Sequence, residues 1–290
     1  MELFGHQVQL KTHNCKFNGN PGTPKQEQTI SLYVRFKGCN AQCSFCEYMD
    51  DANSFDLIKY KEVLLYLKEH IRIHKINFTG GEPTLNWKLF NQVINVTREI
   101  FPKVYLVLNT NGYNLQKLFD EDIYKQIDSI SLSRHHYDDN KNIEILKTHA
   151  PSEELIKYAI SKIGETSEKI HLTCNLVKNY IDSDEEAIKY LEWAAKLDIE
   201  TASFVTLMPI NDFCKNNFIK LDLEKYLHQT KLWEYENICS CSNWVFFPND
   251  PNSIPLRIYT KNTFNPFGII TSLVYDGKNV KLGFTEKIIY

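Results

Sequence analysis

The sequence predicts an α/β protein: a partial (β/α)6 barrel of the TIM-like kind, followed by a small C-terminal α+β domain. Three observations carry this. Between residues 31 and 210, short β-branched or aromatic runs alternate six times with amphipathic stretches. Each alternation takes about 30 residues, the spacing at which parallel strands are joined by helical crossovers. A complete eight-stranded barrel uses about 250 residues, more than this segment offers, and after residue 210 the rhythm stops.

The elements follow in order. Residues 1–30 form an N-terminal extension with little periodicity, and Asn18-Gly19-Asn20-Pro21-Gly22-Thr23-Pro24 is dense in turn formers. Ser31 to Phe36 reads as the first strand, and Tyr60, Leu64, Leu67 and Ile71 recur at helical spacing. Ile76 to Thr79 is the second strand, followed by a helix through Leu89, Val93 and Val96. Val104–Leu108 and Ser129–Leu132 are the third and fourth strands. A helix near 151–164, a strand at 169–177 and a helix near 184–197 come next, the last opening on the acidic run Asp182 to Glu186 that suits a helix N-terminus. Thr201 to Thr206 closes the series. Residues 211–290 end in two alternating stretches around Asp276-Gly277-Lys278 and read as the smaller domain.

Composition narrows the function. Thirty-three Lys+Arg against 36 Asp+Glu give a net charge of -3, which excludes binding of nucleic acid by bulk charge. No apolar run reaches the roughly 18 residues of a membrane span, and the first residues lack the layout of a secretory signal. The expectation is a cytoplasmic protein, where thiols stay reduced. In that setting the clustered members of the eight cysteines point to metal rather than disulfides.

The sharpest feature is Cys39-Asn40-Ala41-Gln42-Cys43-Ser44-Phe45-Cys46, directly after the first strand, where parallel α/β folds place their chemistry. Three thiolates at this spacing can each take one corner of a cubane, leaving a fourth iron open. A closed zinc site needs a fourth Cys or His, and none follows within the next twenty residues. The second feature is Thr79-Gly80-Gly81-Glu82-Pro83, at the end of the second strand. Its glycines let backbone approach a bound group closely, and the Glu82 carboxylate can receive an ammonium.

Cys-x3-Cys-x2-Cys with Phe45 before the third cysteine, followed by Gly-Gly-Glu-Pro at the next strand end, resembles the radical S-adenosylmethionine (SAM) superfamily. The resemblance implies a 4Fe–4S cluster on Cys39, Cys43 and Cys46, and SAM bound by Phe45, Gly80, Gly81, Glu82 and Pro83. It implies further SAM contacts from Asn109 in Asn109-Thr110-Asn111-Gly112, from Ser131, from Asn175, and from Met208 after the sixth strand. Ser133 stands where relatives carry an acid. Ser133-Arg134-His135-His136-Tyr137 follows the fourth strand: Arg134 is a candidate clamp for a carboxylate or phosphate, and His135, His136 or Tyr137 a candidate proton donor. Adjacent histidines on an extended segment point to opposite sides, so at most one faces a pocket.

Cys214, Cys239 and Cys241 form a second group. The superfamily's auxiliary-cluster (SPASM/Twitch-like) subgroup, which includes the molybdenum-cofactor enzyme that rearranges GTP, holds a second 4Fe–4S cluster in such a C-terminal domain. The spacing here departs from the usual Cys-x2-Cys, and a plain buried cysteine is the alternative. By resemblance, one electron from the reduced cluster splits SAM into methionine and a 5′-deoxyadenosyl radical, which takes a hydrogen atom from a small-molecule or peptide substrate. The electron comes from a donor such as flavodoxin or ferredoxin. An activase that installs a glycyl radical on a partner protein is the second reading, and a non-catalytic iron–sulfur protein the third.

Overall fold

A computed structural model describes residues 2–8, 29–46, 55–164, 167–223, 241–261, 272–284 and 287–290. The turn-rich loop at 18–24, Cys15 and Cys239 lie outside the described residues. In chain order the first elements are β1 (Glu2–Leu3), β2 (His6–Gln7), β3 (Thr29–Phe36), α1 (Leu57–His70), β4 (Arg72–Gly80), α2 (Trp87–Ile100) and β5 (Tyr105–Thr110). Then come α3 (Leu115–Asp120), β6 (Ser129–Ser133), α4 (Asp139–Leu146), α5 (Glu153–Ile163), β7 (Ile170–Asn175), α6 (Asp184–Lys196) and β8 (Thr201–Val205). The chain continues through α7 (Asp212–Asn216), β9 (Cys241–Phe246), β10 (Leu256–Lys261), β11 (Ser272–Tyr275) and β12 (Val280–Leu282).

Strands β3 to β8 stand side by side in sequence order, every pair parallel. The described strands of the C-terminal region, expected as a smaller α+β domain, pair with the strands of the barrel segment. They extend the same sheet at both edges: β10 runs parallel to β8 with β9 antiparallel outside it, and β11 runs parallel to β3 with β12 outside it. Among the described residues the sheet thus has ten strands, in the order β12-β11-β3-β4-β5-β6-β7-β8-β10-β9. An open part-barrel leaves unpaired N–H and C=O groups along β3 and β8, and the C-terminal strands satisfy them.

One face of the sheet is apolar and meets the helices. Leu32, Val34, Ile76, Phe78, Leu106, Leu108, Ile130, Leu132 and Leu172 alternate along their strands and are buried in one core. Helix starts are fixed by side-chain caps. Asp56, Asn86, Ser152 and Ser183 accept from the backbone N–H three residues on, beginning α1, α2, α5 and α6. Strands β1 and β2 pair across a tight turn in which Phe4 and Gly5 both take positive φ, 49° and 74°. Phe4 stacks between Tyr66 and Tyr290, at 4.0 and 4.6 Å, so the N-terminal strands close against α1 and the C-terminal end of the described chain.

Candidate active site

The cysteine loop leaves the carboxyl end of β3 and packs, backbone to backbone, on the turn that ends β4. The N–H of Gly81 donates to Phe36 O at 2.9 Å and that of Glu82 to Gly38 O at 2.8 Å. A Cβ on Gly80 would stand 2.3 Å from Phe36 O, and one on Gly81 only 1.8 Å from Gly38 O. The two glycines are therefore required first by this contact with the cysteine strand, beneath any bound group.

Glu82 occupies a different place from the one its sequence context suggests. It is 1% exposed, and its carboxylate accepts from Thr84 N–H at 2.9 Å, Thr84 Oγ1 at 2.6 Å, Thr110 Oγ1 at 2.8 Å and Asn111 N–H at 2.8 Å. Burial pushes its pKa up, while these donors pull the other way. The carboxylate is spent on joining the ends of β4 and β5 and does not face the cavity; Pro83 is buried beside it. What the turn offers the cavity is the backbone of Thr79, Gly80 and Gly81.

The loop is held from three further directions. Gln42 N–H donates to Leu146 O at 3.0 Å, at the end of α4, and Lys147 Nζ reaches Ser44 Oγ at 2.8 Å. Asn211 Nδ2 donates to Ser44 O at 3.2 Å. Cys214, buried with Val177 and Leu207, directs its thiol to Phe45 O at 3.7 Å. The sulfur of Cys39 receives the N–H of Ala41 at 3.4 Å and Asn111 Nδ2 at 3.6 Å. Such N–H···S donors suit a thiolate. Burial pushes the Cys43 thiol up to about 12 and raises that of Cys39, so deprotonation here calls for a bound cation.

Cys39, Cys43 and Cys46 line one cavity of about 160 Å³, together with Phe45 and the ends of β4, β5, β6 and β7. Among the described residues no three His, Cys, Asp or Glu side chains converge closely enough to hold a single ion. A lone zinc would draw its thiolates to roughly 4 Å of one another, given Zn–S bonds of about 2.3 Å. Three cysteines ringing a cavity fit a cluster, whose separate irons each take one thiolate.

The sequence candidates divide on this cavity. Phe45, Gly80, Gly81, Asn109 and Asn175 line it; Glu82, Pro83, Ser131 and Met208 do not. Ser131 Oγ is bonded to Thr173 Oγ1 at 2.8 Å, one layer deeper, and the residue that lines the cavity from β6 is Ser133. Met208 is 50% exposed; Leu207, its neighbour, is the one turned inward, behind Phe45.

The expected clamp and two of the expected proton donors are structural. Arg134 is fully buried and donates to His136 O, Pro151 O, Tyr137 O and the Asp139 carboxylate, with its guanidinium 4.9 Å from the Trp193 ring. His136 Nδ1 accepts from Asp138 N–H at 2.9 Å, and Tyr137 donates to Glu186 at 2.8 Å. His135 alone of the four lines the cavity. Its Nδ1 accepts the N–H of Asn175 at 3.0 Å, which leaves the ring proton on Nε2, and its ring meets Phe45 edge-on at 5.2 Å. Burial, aided by Arg134, pushes its pKa down to about 4, so it is a neutral hydrogen-bond donor. Gln42, Asn111 and Leu146 also line the cavity; only Asn111 carried a sequence signal, as part of the polar turn after the third strand.

A family model for the radical SAM superfamily matches residues 33–220. The chain belongs to the radical SAM superfamily. A protein of Methanocaldococcus jannaschii named as a glycyl-radical enzyme activating enzyme is 29% identical over 154 residues, covering 51% of this chain and 56% of its own length. A GTP 3′,8-cyclase of Helicobacter pylori is 26% identical over 249 residues, covering 82% of this chain and 72% of its own length. The chain thus spans little more than half of the first of these relatives. In fold it resembles Streptococcus suis SuiB, solved with S-adenosylmethionine bound, with a TM-score of 0.54 at 20% identity over 69% of this chain and 47% of that one. The superfamily uses a 4Fe–4S cluster and SAM, and the three-cysteine cavity fits the first of these. No helix among the described residues is long and apolar enough to cross a membrane.

Proposed function

We propose that this chain is a radical SAM enzyme that holds its cluster on Cys39, Cys43 and Cys46 and its SAM against Phe45, Gly80, Gly81, Asn109, Ser133 and Asn175. The observation that carries the reading is the meeting of the three cysteines and four strand ends on one cavity. When bound, the cluster and SAM supply one-electron cleavage to methionine and a 5′-deoxyadenosyl radical, which abstracts a hydrogen atom from a small-molecule or peptide substrate. The chain's own contribution is placement. Asn111 rests on the Cys39 sulfur, Leu146 closes one side, and the backbone of Gly80 and Gly81 leaves room for the amino-acid end of SAM. His135 presents Nε2–H to the occupant of the cavity as a fixed donor. The electron comes from a small redox protein such as flavodoxin or ferredoxin.

A second 4Fe–4S cluster on Cys214, Cys239 and Cys241 is part of the proposal. It is supported by position: Cys241 registers with Lys261, which registers with Val205, and Cys214 follows that strand end by nine residues. The test of both clusters is iron content and 5′-deoxyadenosine formation after anaerobic reconstitution and chemical reduction. Wild type is expected to carry about eight irons, and the triple Cys39, Cys43 and Cys46→Ala variant about half of that with no SAM cleavage. Undiminished cleavage in the variant overturns the main site; an iron-free variant overturns the second cluster.

The 29% identity to the activating enzyme favours, as a second reading, installation of a glycyl radical on a partner protein. An organic radical that appears on a co-expressed partner, and on no small substrate, would select it.

A further inference from the structure

The turn that ends β5 holds one side chain against the cysteine loop. Thr110 is the last residue of the strand, and Gly112 takes φ 83°, in the left-handed region. A Cβ on Gly112 would stand 2.6 Å from Pro151 Cγ and 3.0 Å from Leu132 Cδ1, so glycine is what lets the chain turn away here. Asn111, between the two, is 8% exposed and lines the cavity. Its backbone N–H is fixed on Glu82, which Thr84 and Thr110 hold in turn.

The partners of the Asn111 amide admit one orientation. Its Oδ1 accepts the N–H of Tyr113 at 3.0 Å, and a backbone N–H can only donate. Its Nδ2 is thereby turned to the cysteine loop, where it donates to Asn40 Oδ1 at 2.9 Å and to Cys39 Sγ at 3.6 Å. A flipped amide would lose the Tyr113 bond and set one carbonyl oxygen against another. Asn40 is held from its far side as well, by Nδ2 donation to Thr148 Oγ1 at 3.4 Å. Tyr113, Asn40 and Thr148 thus aim one Asn111 N–H at the Cys39 sulfur, which the N–H of Ala41 also reaches at 3.4 Å.

We propose that Asn111 is a positioning residue that sets how readily a cluster on the cysteine loop accepts an electron, through its N–H on the Cys39 sulfur. The inference rests on the function proposed above in one respect, that Cys39, Cys43 and Cys46 hold the cluster. One electron passes from the small redox protein to the cluster; no bond forms or breaks and no proton moves. The cluster and its thiolates together become one unit more negative. A donor on a thiolate sulfur favours the more negative state and so raises the reduction potential. Because its partners already hold the amide in place, the donor need not reorganise when the charge arrives.

A potentiometric titration of the anaerobically reconstituted full chain tests the proposal. It is followed by the electron paramagnetic resonance signal of the reduced cluster, which reads only chains that carry one. Asn111→Leu keeps the size of the side chain and removes the donor. Its potential should be more negative, by about a tenfold change in the one-electron equilibrium, or about 59 mV. Asn40→Ala leaves Asn111 in place but unties its amide, and a smaller shift in the same direction is expected. Asn114 belongs to the same turn but donates to Thr84 O, at 2.7 Å, so Asn114→Ala should keep the wild-type potential. An unchanged potential in Asn111→Leu overturns the proposal. So does an equal shift in Asn114→Ala, which would assign the effect to the fold of the turn. If Asn111→Leu assembles no cluster, Asn40→Ala decides the matter: a more negative potential upholds the proposal and an unchanged one overturns it. Wild type that cleaves SAM, with Asn111→Leu at the same potential, overturns this inference alone. Wild type that assembles no cluster overturns the reading of the cavity along with it.

Discussion

The carboxylate of Glu82 takes the backbone N–H of Asn111 at 2.8 Å, and the amide of that same Asn111 rests on the sulfur of Cys39 at 3.6 Å. The acidic residue of the Gly-Gly-Glu-Pro turn thereby acts on the cluster loop through the end of β5. Glu82→Gln places an NH2 where two threonine hydroxyl bonds and two backbone N–H groups converge, so at least one buried donor loses its acceptor. The expected result is a loss of about 1–3 kcal/mol of stability, seen as a fall in Tm, with weaker retention of iron. An unchanged Tm with only SAM affinity reduced would return Glu82 to the role of an ammonium acceptor.

Gly81 sets the distance between the two motif loops. Gly81→Ala brings a Cβ to 1.8 Å from Gly38 O, a backbone atom that cannot rotate away. The loops must separate, and the bonds from Gly81 N–H to Phe36 O and from Glu82 N–H to Gly38 O go with them. Overpacking of this kind costs about 1–3 kcal/mol and at times more. Iron bound per folded chain should drop even where the circular dichroism spectrum persists; full iron loading would show that the loops are not coupled.

Much of this was legible in the sequence because it is local. The cysteine loop and the glycine turn each declare themselves within ten residues, and the six strand–helix units within about 30 each. What escaped depends on partners far away in the chain. Arg134 reads as a ligand clamp until Pro151 O and the Trp193 ring are placed around it. Glu82 reads as a cofactor acceptor until Thr110 and Asn111, nearly thirty residues on, take its oxygens. Helix α4 carries little helical periodicity, because its apolar residues crowd into its last turn. Its start was marked all the same by Asp138, whose side chain accepts from Lys141 N–H, and its last residue, Leu146, lines the cavity. Of the C-terminal strands only the pair around Asp276-Gly277-Lys278 declared its presence, β9 and β10 gave no such signal, and nothing within β10 or β11 names β8 or β3 as neighbour.

Two buried histidines predict an acid sensitivity. Burial holds His171 at about 3, with Lys261 and Lys75 adding to the effect, and holds His135 at about 4, against an ordinary value near 6.5. Both are neutral in the folded protein, whereas the unfolded chain takes up their protons as pH falls through 6.5. Their stabilisation is therefore complete above about 6.5 and is lost progressively toward pH 4, at up to about 1.4 kcal/mol per pH unit for each. Tm should decline between pH 6.5 and 5, where few carboxylates titrate. His171→Gln should flatten that decline; an identical slope in the variant would mean that other groups carry it.

Arg134 offers the clearest separation of a structural from a catalytic role. Its guanidinium is fully buried, and its Nε and two terminal nitrogens reach three carbonyls and one carboxylate on the segment that follows β6 and the start of α5. Its own carbonyl accepts from Tyr190 on α6 at 2.9 Å, so the segment that carries His135 is anchored to two helices. Arg134→Lys keeps the charge but cannot span the same acceptors or lie flat against Trp193. Breaking such a buried network costs about 3–5 kcal/mol. The variant should melt well below wild type, and its SAM affinity should fall only as the folded fraction falls. Arg134→Met should behave at least as badly, because Asp139 and three carbonyls then lose their donor. A clamp on a substrate carboxylate or phosphate would give the opposite pattern: a normal melt, normal SAM cleavage, and a selective loss of affinity for the anionic substrate.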